Sequence, residues 1–439
     1  MAPARAQGCS VTLVAGSRGD LGIHGDAKAF YGDVHAVKFD AALASGAPLR
    51  FESPLVGSAP LHPSFEDRAG APDHVFATLD DLDYERHVRA WSRELRRAGA
   101  READVLHLHH LTPLNEAATR IAPHVPVVGQ LHGTELLMLE QIAGGAPRQW
   151  RHAERWAERM RGWADRCVCL AVAPAGVERA MALLGVQRER LVALPNGVDV
   201  ELFRPRATDR DAFWRRALVQ QPQGWLPDQP PGSACYSEAA VAALAAGTVL
   251  LYVGRFTAVK RLDLLIGAFA RAQARLTTPA GLVLVGGHPG EWENEHPAQI
   301  AARLGTPNVF LAGWQTQYEL PAFFAAADAV VMSSQREQFG QALIEGMACG
   351  LPAIATSSLG PAAIIEHGRT GWLTPPDDEN ALATALTEAI NDTPERQQRG
   401  HQARLSVREH FSWPGIATQL MTVLETIADS THHAPAIEA

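Results

Sequence analysis

The chain has no apolar run long enough to cross a bilayer, and its N-terminus carries only the brief apolar stretch Val11 to Ala15, without the layout of a secretory signal. Both absences point to a cytoplasmic protein. Cysteine is scarce: Cys9, Cys167, Cys169, Cys235 and Cys349 are odd in number and lack dense spacing, which argues against a disulfide framework. Cys167 and Cys169 read as small buried hydrophobes on a strand. There is no excess of positive charge either. A net charge of −9 gives no general attraction to a polyanion, so a nucleic-acid partner is not expected.

What the chain does have is enough apolar material, 46% over 439 residues, for more than one core. Short β-branched or Leu-rich runs recur at 10–15, 104–108, 125–131, 167–172 and 191–194, then at 249–253, 282–285, 309–311, 329–332 and 353–355. Helical patterns separate them, and such alternation predicts an α/β fold with parallel sheets. Between the halves, residues 220–231 carry too many prolines for regular structure and read as a linker or inserted loop.

Two helical stretches raise the question of a membrane surface. Over 149–166, Trp150, Trp156, Met160 and Trp163 share one face while the polar face mixes both charge signs. That mixture favours packing on the protein's own core over lipid. The stretch 86–101 is richer in arginine and also fits a solvated face, so peripheral membrane contact is kept as the lesser expectation.

Chemistry concentrates at predicted strand ends. Gly254, Arg255 and Lys260 follow the run 249–253, and glycines recur at Gly286-Gly287, Gly313 and Gly340, outlining one rim. After 329–332 comes Arg336-Glu-Gln-Phe-Gly-Gln-Ala-Leu-Ile-Glu-Gly346, which sets Glu337 in a loop and Glu345 on the helix that follows. Two cations and a helix N-terminus suit a diphosphate, and two acids suit sugar hydroxyls. The residues therefore suggest a nucleotide-sugar site. In the first half, His132 and the trio His107, His109 and His110 lie at strand ends; a zinc site is not favoured there, because no matching carboxylate spacing accompanies them.

Gly254-Arg255-Phe256 with Lys260, Pro195-Asn-Gly-Val-Asp199, the Glu337–Glu345 run, Met347 to Ala353 and Gly368 to Asp377 together resemble the retaining glycosyltransferases of family 4. The resemblance implies the GT-B fold: α/β, with two facing Rossmann-like domains and a cleft between them. It implies an acceptor-side domain over 1–200, a linker or insertion over 201–247, a nucleotide-sugar domain over 248–410, and a final helix, 414–428, returning to the first domain. By resemblance, Arg255 and Lys260 hold the donor diphosphate, Glu345 the ribose, and Glu337, as a catalytic residue, a hydroxyl of the transferred sugar near the reacting carbon. Gly254 and the backbone of Phe339, Gly340 and Gln341 complete the donor pocket. His132 contacts the donor sugar as a catalytic residue, and His109 and His110 line the acceptor side.

The implied reaction moves a hexose-type sugar, with retention, from a nucleotide-diphosphate sugar, a UDP-sugar first, to a hydroxyl of a small molecule or glycolipid. No metal and no other obligatory cofactor is implied. Two rival readings are an epimerase of nucleotide sugars with a related fold, and a donor-binding protein without activity. The second arises because the opening residues, with Gly8 leading into a strand, resemble the family's second strand, so that its first strand and glycine-rich loop are expected to be absent.

Overall fold

The structure, a computed structural model, describes residues 8–17, 28, 34–38, 63–65, 75–287 and 292–432. It divides into two compact units, Met1–Leu194 with Ala417–Ala439, and Pro195–Ile416.

In the second unit the continuous apolar runs become strands β7 (Thr248–Val253), β8 (Ala280–Val285), β9 (Val309–Gly313), β10 (Ala329–Met332), β11 (Ala353–Thr356) and β12 (Gly371–Thr374). They form one parallel sheet in the order β12-β11-β10-β7-β8-β9. β8 and β10 are buried along their whole length, as expected where helices cover both faces. Leu250 and Tyr252 of β7 point to a core shared with Leu265 and Phe269 of the helix Leu262–Gln273 and with Leu382 and Leu386 of the helix Glu379–Asn391. On the other face the helix Gln341–Ala348 lies so close to β10 that a Cβ on Gly346 would meet the Val330 side chain at 2.9 Å. The strand order matters for function: from β7 the chain runs outward through β8 and β9, then returns to β7's other side at β10. The sheet therefore has its topological switch between β7 and β10, the place where open α/β sheets hold ligands.

In the first unit, β3 (Leu106–His109), β4 (Val127–Leu131), β5 (Cys167–Ala171) and β6 (Leu191–Ala193) make a parallel four-stranded sheet in that order. β1 (Val14–Ser17) and β2 (His35–Lys38) form a separate parallel pair, and among the described residues no strand joins β1 to β3. β1 begins at Val14, later than the expected 10–15, and takes in Gly16 and Ser17. β2 and β12 were not anticipated from sequence.

The helix expected over 149–166 spans Ala153–Ala164, and Trp156, Met160 and Trp163 are buried, with Phe76 stacked on Trp156 at 4.8 Å. That apolar face is core, which removes the lipid reading for this helix. None of the described helices is long and apolar enough to cross a membrane. The last helix, Trp413–His432, runs beyond the expected 414–428. The stretch 201–247 holds two α-helices, Arg210–Arg215, continued by the π-helical turn Arg216–Gln220, and Glu238–Ala246, and it buries Trp214 and Trp225. Both belong to the second unit.

Candidate active site

At the β7/β10 switch the two loops are stitched together. The Ser333 hydroxyl, just past β10, donates to the carbonyls of Lys260 and Arg261 at 2.8 and 2.9 Å, and the Gln335 amide donates to the Val259 carbonyl at 2.9 Å. Lys260 ends the 3-10 turn Ala258–Lys260, and Arg261, in the left-handed region at φ 52°, turns the chain into the helix Leu262–Gln273. This places the Lys260 ammonium 2.5 Å from a carboxylate oxygen of Glu337, with both side chains mostly covered. Ser334 Oγ lies 3.4 Å from the same oxygen.

The chain then turns at Gly340, whose φ of 106° a side chain would resist, and opens the helix Gln341–Ala348. The first N–H groups of any helix lack intrahelical acceptors and carry its positive dipole end, so Phe339, Gly340 and Gln341 bring anion-binding amides beside Lys260's loop. Phe339 is itself buried, edge-on to Phe411 at 6.0 Å. One turn into the helix, Glu345 is 5% exposed. Burial pushes its carboxyl up to about 7, with the Gln341 amide, 3.3 Å away, pulling the other way. Gln341 also donates to the Gly197 carbonyl at 3.1 Å, tying the helix to Pro195–Asp199. That stretch is held in turn by Phe411 and Trp413 through backbone bonds to Val198 at 2.8 and 3.1 Å.

Arg255 is exposed just after β7, and its carbonyl accepts the Tyr252 hydroxyl at 2.8 Å. At Gly254 the backbones crowd: a Cβ on Gly286 would stand 2.2 Å from the Gly254 carbonyl oxygen. The structure thus joins Lys260 to Glu337 and Gln341 to Glu345, with Gly254 and Arg255 on the neighbouring strand end.

The first unit carries a different cluster. His109 ends β3, His110 follows at φ 64°, and His132 follows β4, ahead of Gly133 at φ 93°. His109 Nδ1 and His132 Nε2 are 2.9 Å apart, and the His110 and His132 rings are 4.3 Å apart. Beneath them Glu135, with no exposed surface, receives His110 Nδ1 at 2.5 Å, the amides of His132 and Gly133 at 3.2 and 3.0 Å, and the Thr134 hydroxyl at 3.4 Å. Burial alone would raise the Glu135 carboxyl, but the His110 bond and the attraction of that ring, with a backbone hydrogen bond, hold it below the usual range. Burial, with His110 beside it, pushes His132 down to about 4, and burial with His109 beside it takes His107 down to about 4. His109 is lowered as well, by burial first. The His109–His132 contact is therefore one between neutral rings, in which one nitrogen donates and the other accepts. Among the described residues no group of three or more His, Cys, Asp or Glu is arranged to hold a metal ion.

Sequence reading gave no role to Ser333, Gln335 or Glu135, although they hold the loops on which the singled-out residues sit. For Glu135 a signal was present: an acid in the first turn of a helix whose amides follow His132. For Ser333 there was none, since a hydroxyl reaching two carbonyls across a sheet depends on strand order.

Two family models match the chain, "Glycosyltransferase Family 4" over residues 4–202 and "Glycosyl transferases group 1" over 242–406. A D-inositol 3-phosphate glycosyltransferase of Salinispora arenicola is 29% identical over 307 residues, covering 68% of this chain and 63% of that protein. N-acetyl-alpha-D-glucosaminyl L-malate synthase of Bacillus anthracis is 32% identical over 177 residues, covering 40% and 44%. The chain thus matches less than two thirds of the length of either relative. Among solved structures, Anabaena HepE with UDP and glucose aligns at TM-score 0.60 and 21% identity, covering 77% of this chain and 81% of that one. Sucrose-phosphate synthase of Thermosynechococcus elongatus aligns at 0.61 and 21%, covering 80% and 79%. These neighbours are GT-B proteins built of two Rossmann-like domains.

Proposed function

The chain belongs to glycosyltransferase family 4, and from that premise we propose that it transfers a hexose-type sugar, with retention, from a nucleotide-diphosphate sugar to a hydroxyl acceptor. One observation carries the reading: a lysine–carboxylate pair 2.5 Å apart at the sheet's topological switch, beside a glycine-opened helix with a second, buried acid one turn in. Arg255 and Lys260 take the donor diphosphate, and the amides of Phe339, Gly340 and Gln341 its remaining oxygens. Glu345 accepts from ribose hydroxyls and Glu337 from a hydroxyl of the transferred sugar. Gly254 permits the close backbone approach.

As the glycosidic bond breaks, negative charge builds on the diphosphate, and fixed cations stabilise that charge most in the transition state. Lys260 pairs with Glu337. Donor binding exchanges that partner for phosphate and frees the carboxylate for the sugar. His132 contacts the donor sugar as a neutral imidazole, His109 and His110 line the acceptor side, and the departing diphosphate takes the acceptor's proton on the same face.

A UDP-sugar is the first donor to test, supported by the HepE complex with UDP. A GDP-sugar is second, since a GDP-mannose-dependent alpha-mannosyltransferase of Mycobacterium tuberculosis is 30% identical over 284 residues. Inositol 3-phosphate and malate in the relatives' names support a small polar acceptor over a glycolipid. The experiment is a thermal-shift screen against UDP-, GDP- and ADP-sugars, followed by product analysis with the donor that raises the melting temperature. Sugar transfer to an added alcohol with the anomeric configuration kept is the expected result. A new nucleotide sugar formed without any acceptor would replace the reading with epimerisation.

A further inference from the structure

The insertion between the halves reaches the rim of the candidate donor site. Its backbone presses on edge strand β9: a Cβ on Gly224 would stand 2.0 Å from the Leu311 carbonyl oxygen, and one on Gly313 would stand 2.1 Å from that of Gln223. The Tyr236 hydroxyl accepts the Leu311 amide at 2.6 Å, so the insertion also caps that edge. From this anchored segment Trp225, 1% exposed, projects toward the loops that follow β7 and β8. Its indole N–H donates to the Gly287 carbonyl at 3.0 Å. Its ring stacks on Phe256, with centroids 6.0 Å apart and planes 28° apart, and packs against His296 at 4.6 Å.

Phe256 is the residue after Arg255, and a Cβ on Gly287 would fall 2.4 Å from its ring. Gly286 and Gly287 both have positive φ, 116° and 67°, and the Gly286 amide bonds the Gly313 carbonyl at 2.7 Å. One indole therefore touches both rim loops at once, through a hydrogen bond to one and a stacked ring to the other.

We propose that Trp225 is a positioning residue for the donor site, by which the insertion fixes the Gly286–Gly287 turn and the Arg255-Phe256 loop in the geometry that receives the diphosphate. The inference rests on the reading that Arg255 binds the donor. Without the brace, two glycine-rich or exposed loops would have to be ordered by the ligand, and that ordering cost would appear as weaker binding.

The test measures the Kd of UDP and of GDP by calorimetry, and the ligand-free Tm, on the full chain and four variants. Trp225→Phe deletes the N–H while keeping an aromatic ring, and Phe256→Leu deletes the stack while keeping the hydrogen bond. Each is expected to raise the Kd of the nucleotide that binds roughly three- to tenfold. Either variant suffices if the other does not fold. Tyr236→Phe cuts a bond of the same insertion away from the rim, and it is expected to lower Tm while leaving Kd unchanged. A wild-type Kd in Trp225→Phe or Phe256→Leu, or a Kd raised equally by Tyr236→Phe, would overturn the proposal, because a merely structural insertion behaves that way. Arg255→Ala separates the two levels: unaltered nucleotide binding there would remove the donor-site reading itself, whereas lost binding there with a wild-type Trp225→Phe would remove only the brace.

Discussion

Arg255 and Lys260 have the same assigned partner but different surroundings, and their variants should differ accordingly. Arg255 is exposed, so Arg255→Ala is expected to cost about 3 kcal/mol of transition-state stabilisation, roughly a hundredfold in kcat/KM, with little change in Tm. Lys260→Ala would in addition leave the mostly covered Glu337 carboxylate without its cation, so Tm should fall as well. Differential scanning calorimetry beside steady-state rates checks both. Glu345 supplies a pH prediction. In its proposed role the carboxyl, raised by burial to about 7, accepts both ribose hydroxyls only when ionised, so nucleotide affinity should strengthen as pH rises from about 6 to 8. Titrations across that range with Glu345→Gln should be flat where the wild type slopes.

Gly340 tests the helix Gln341–Ala348 as an element. At φ 106° an added Cβ is strained and would also meet Leu343 at 3.1 Å, so Gly340→Ala should cost on the order of 1–2 kcal/mol and tilt the first-turn amides. Loss of both Tm and nucleotide affinity is the expected outcome; an unchanged Kd would detach that helix end from the phosphate. Elements were legible in the sequence where burial on both faces leaves an unbroken apolar run, as in β8 and β10. β2 (His-Ala-Val-Lys) and β12 (Gly-Trp-Leu-Thr) are four residues each and mix polar with apolar, so neither period nor composition separates them from loop. The helix predicted from Gln149 begins at Ala153 because Gln149 to His152 form turns, with the Trp150 amide bonded to the Pro147 carbonyl at 2.9 Å. Of the candidate site, the charged side chains could be read from their spacing behind strands. For Glu135 the sequence offers only an acid in a helix's first turn, and its burial is a product of packing between β3, β4 and the helix Thr134–Ala143.

For the molecule as a whole, buried imidazoles set the response to acid. His107, His132 and His296 each titrate at about 4 in the folded state against 6.5 ordinarily, burial being the leading cause. Between those values the unfolded chain binds more protons than the folded one, so stability is full above about 6.5 and is lost as pH falls toward 4. Glu345 acts with the opposite sign: the folded state binds the extra proton between 4.5 and about 7, and that contribution is lost as pH rises through 7. His109, lowered in the same direction, adds to them, so Tm should fall steadily from pH 6.5 to 5, and His296→Asn should flatten the slope. The ammonium that meets Glu337 has one more consequence, because Lys28, Lys38 and Lys260 are the only lysines in the chain. Arginine carries the rest of its positive charge, so acylating reagents that seek primary amines have few targets, and peptide mapping with and without nucleotide would make Lys260 a built-in footprint of occupancy.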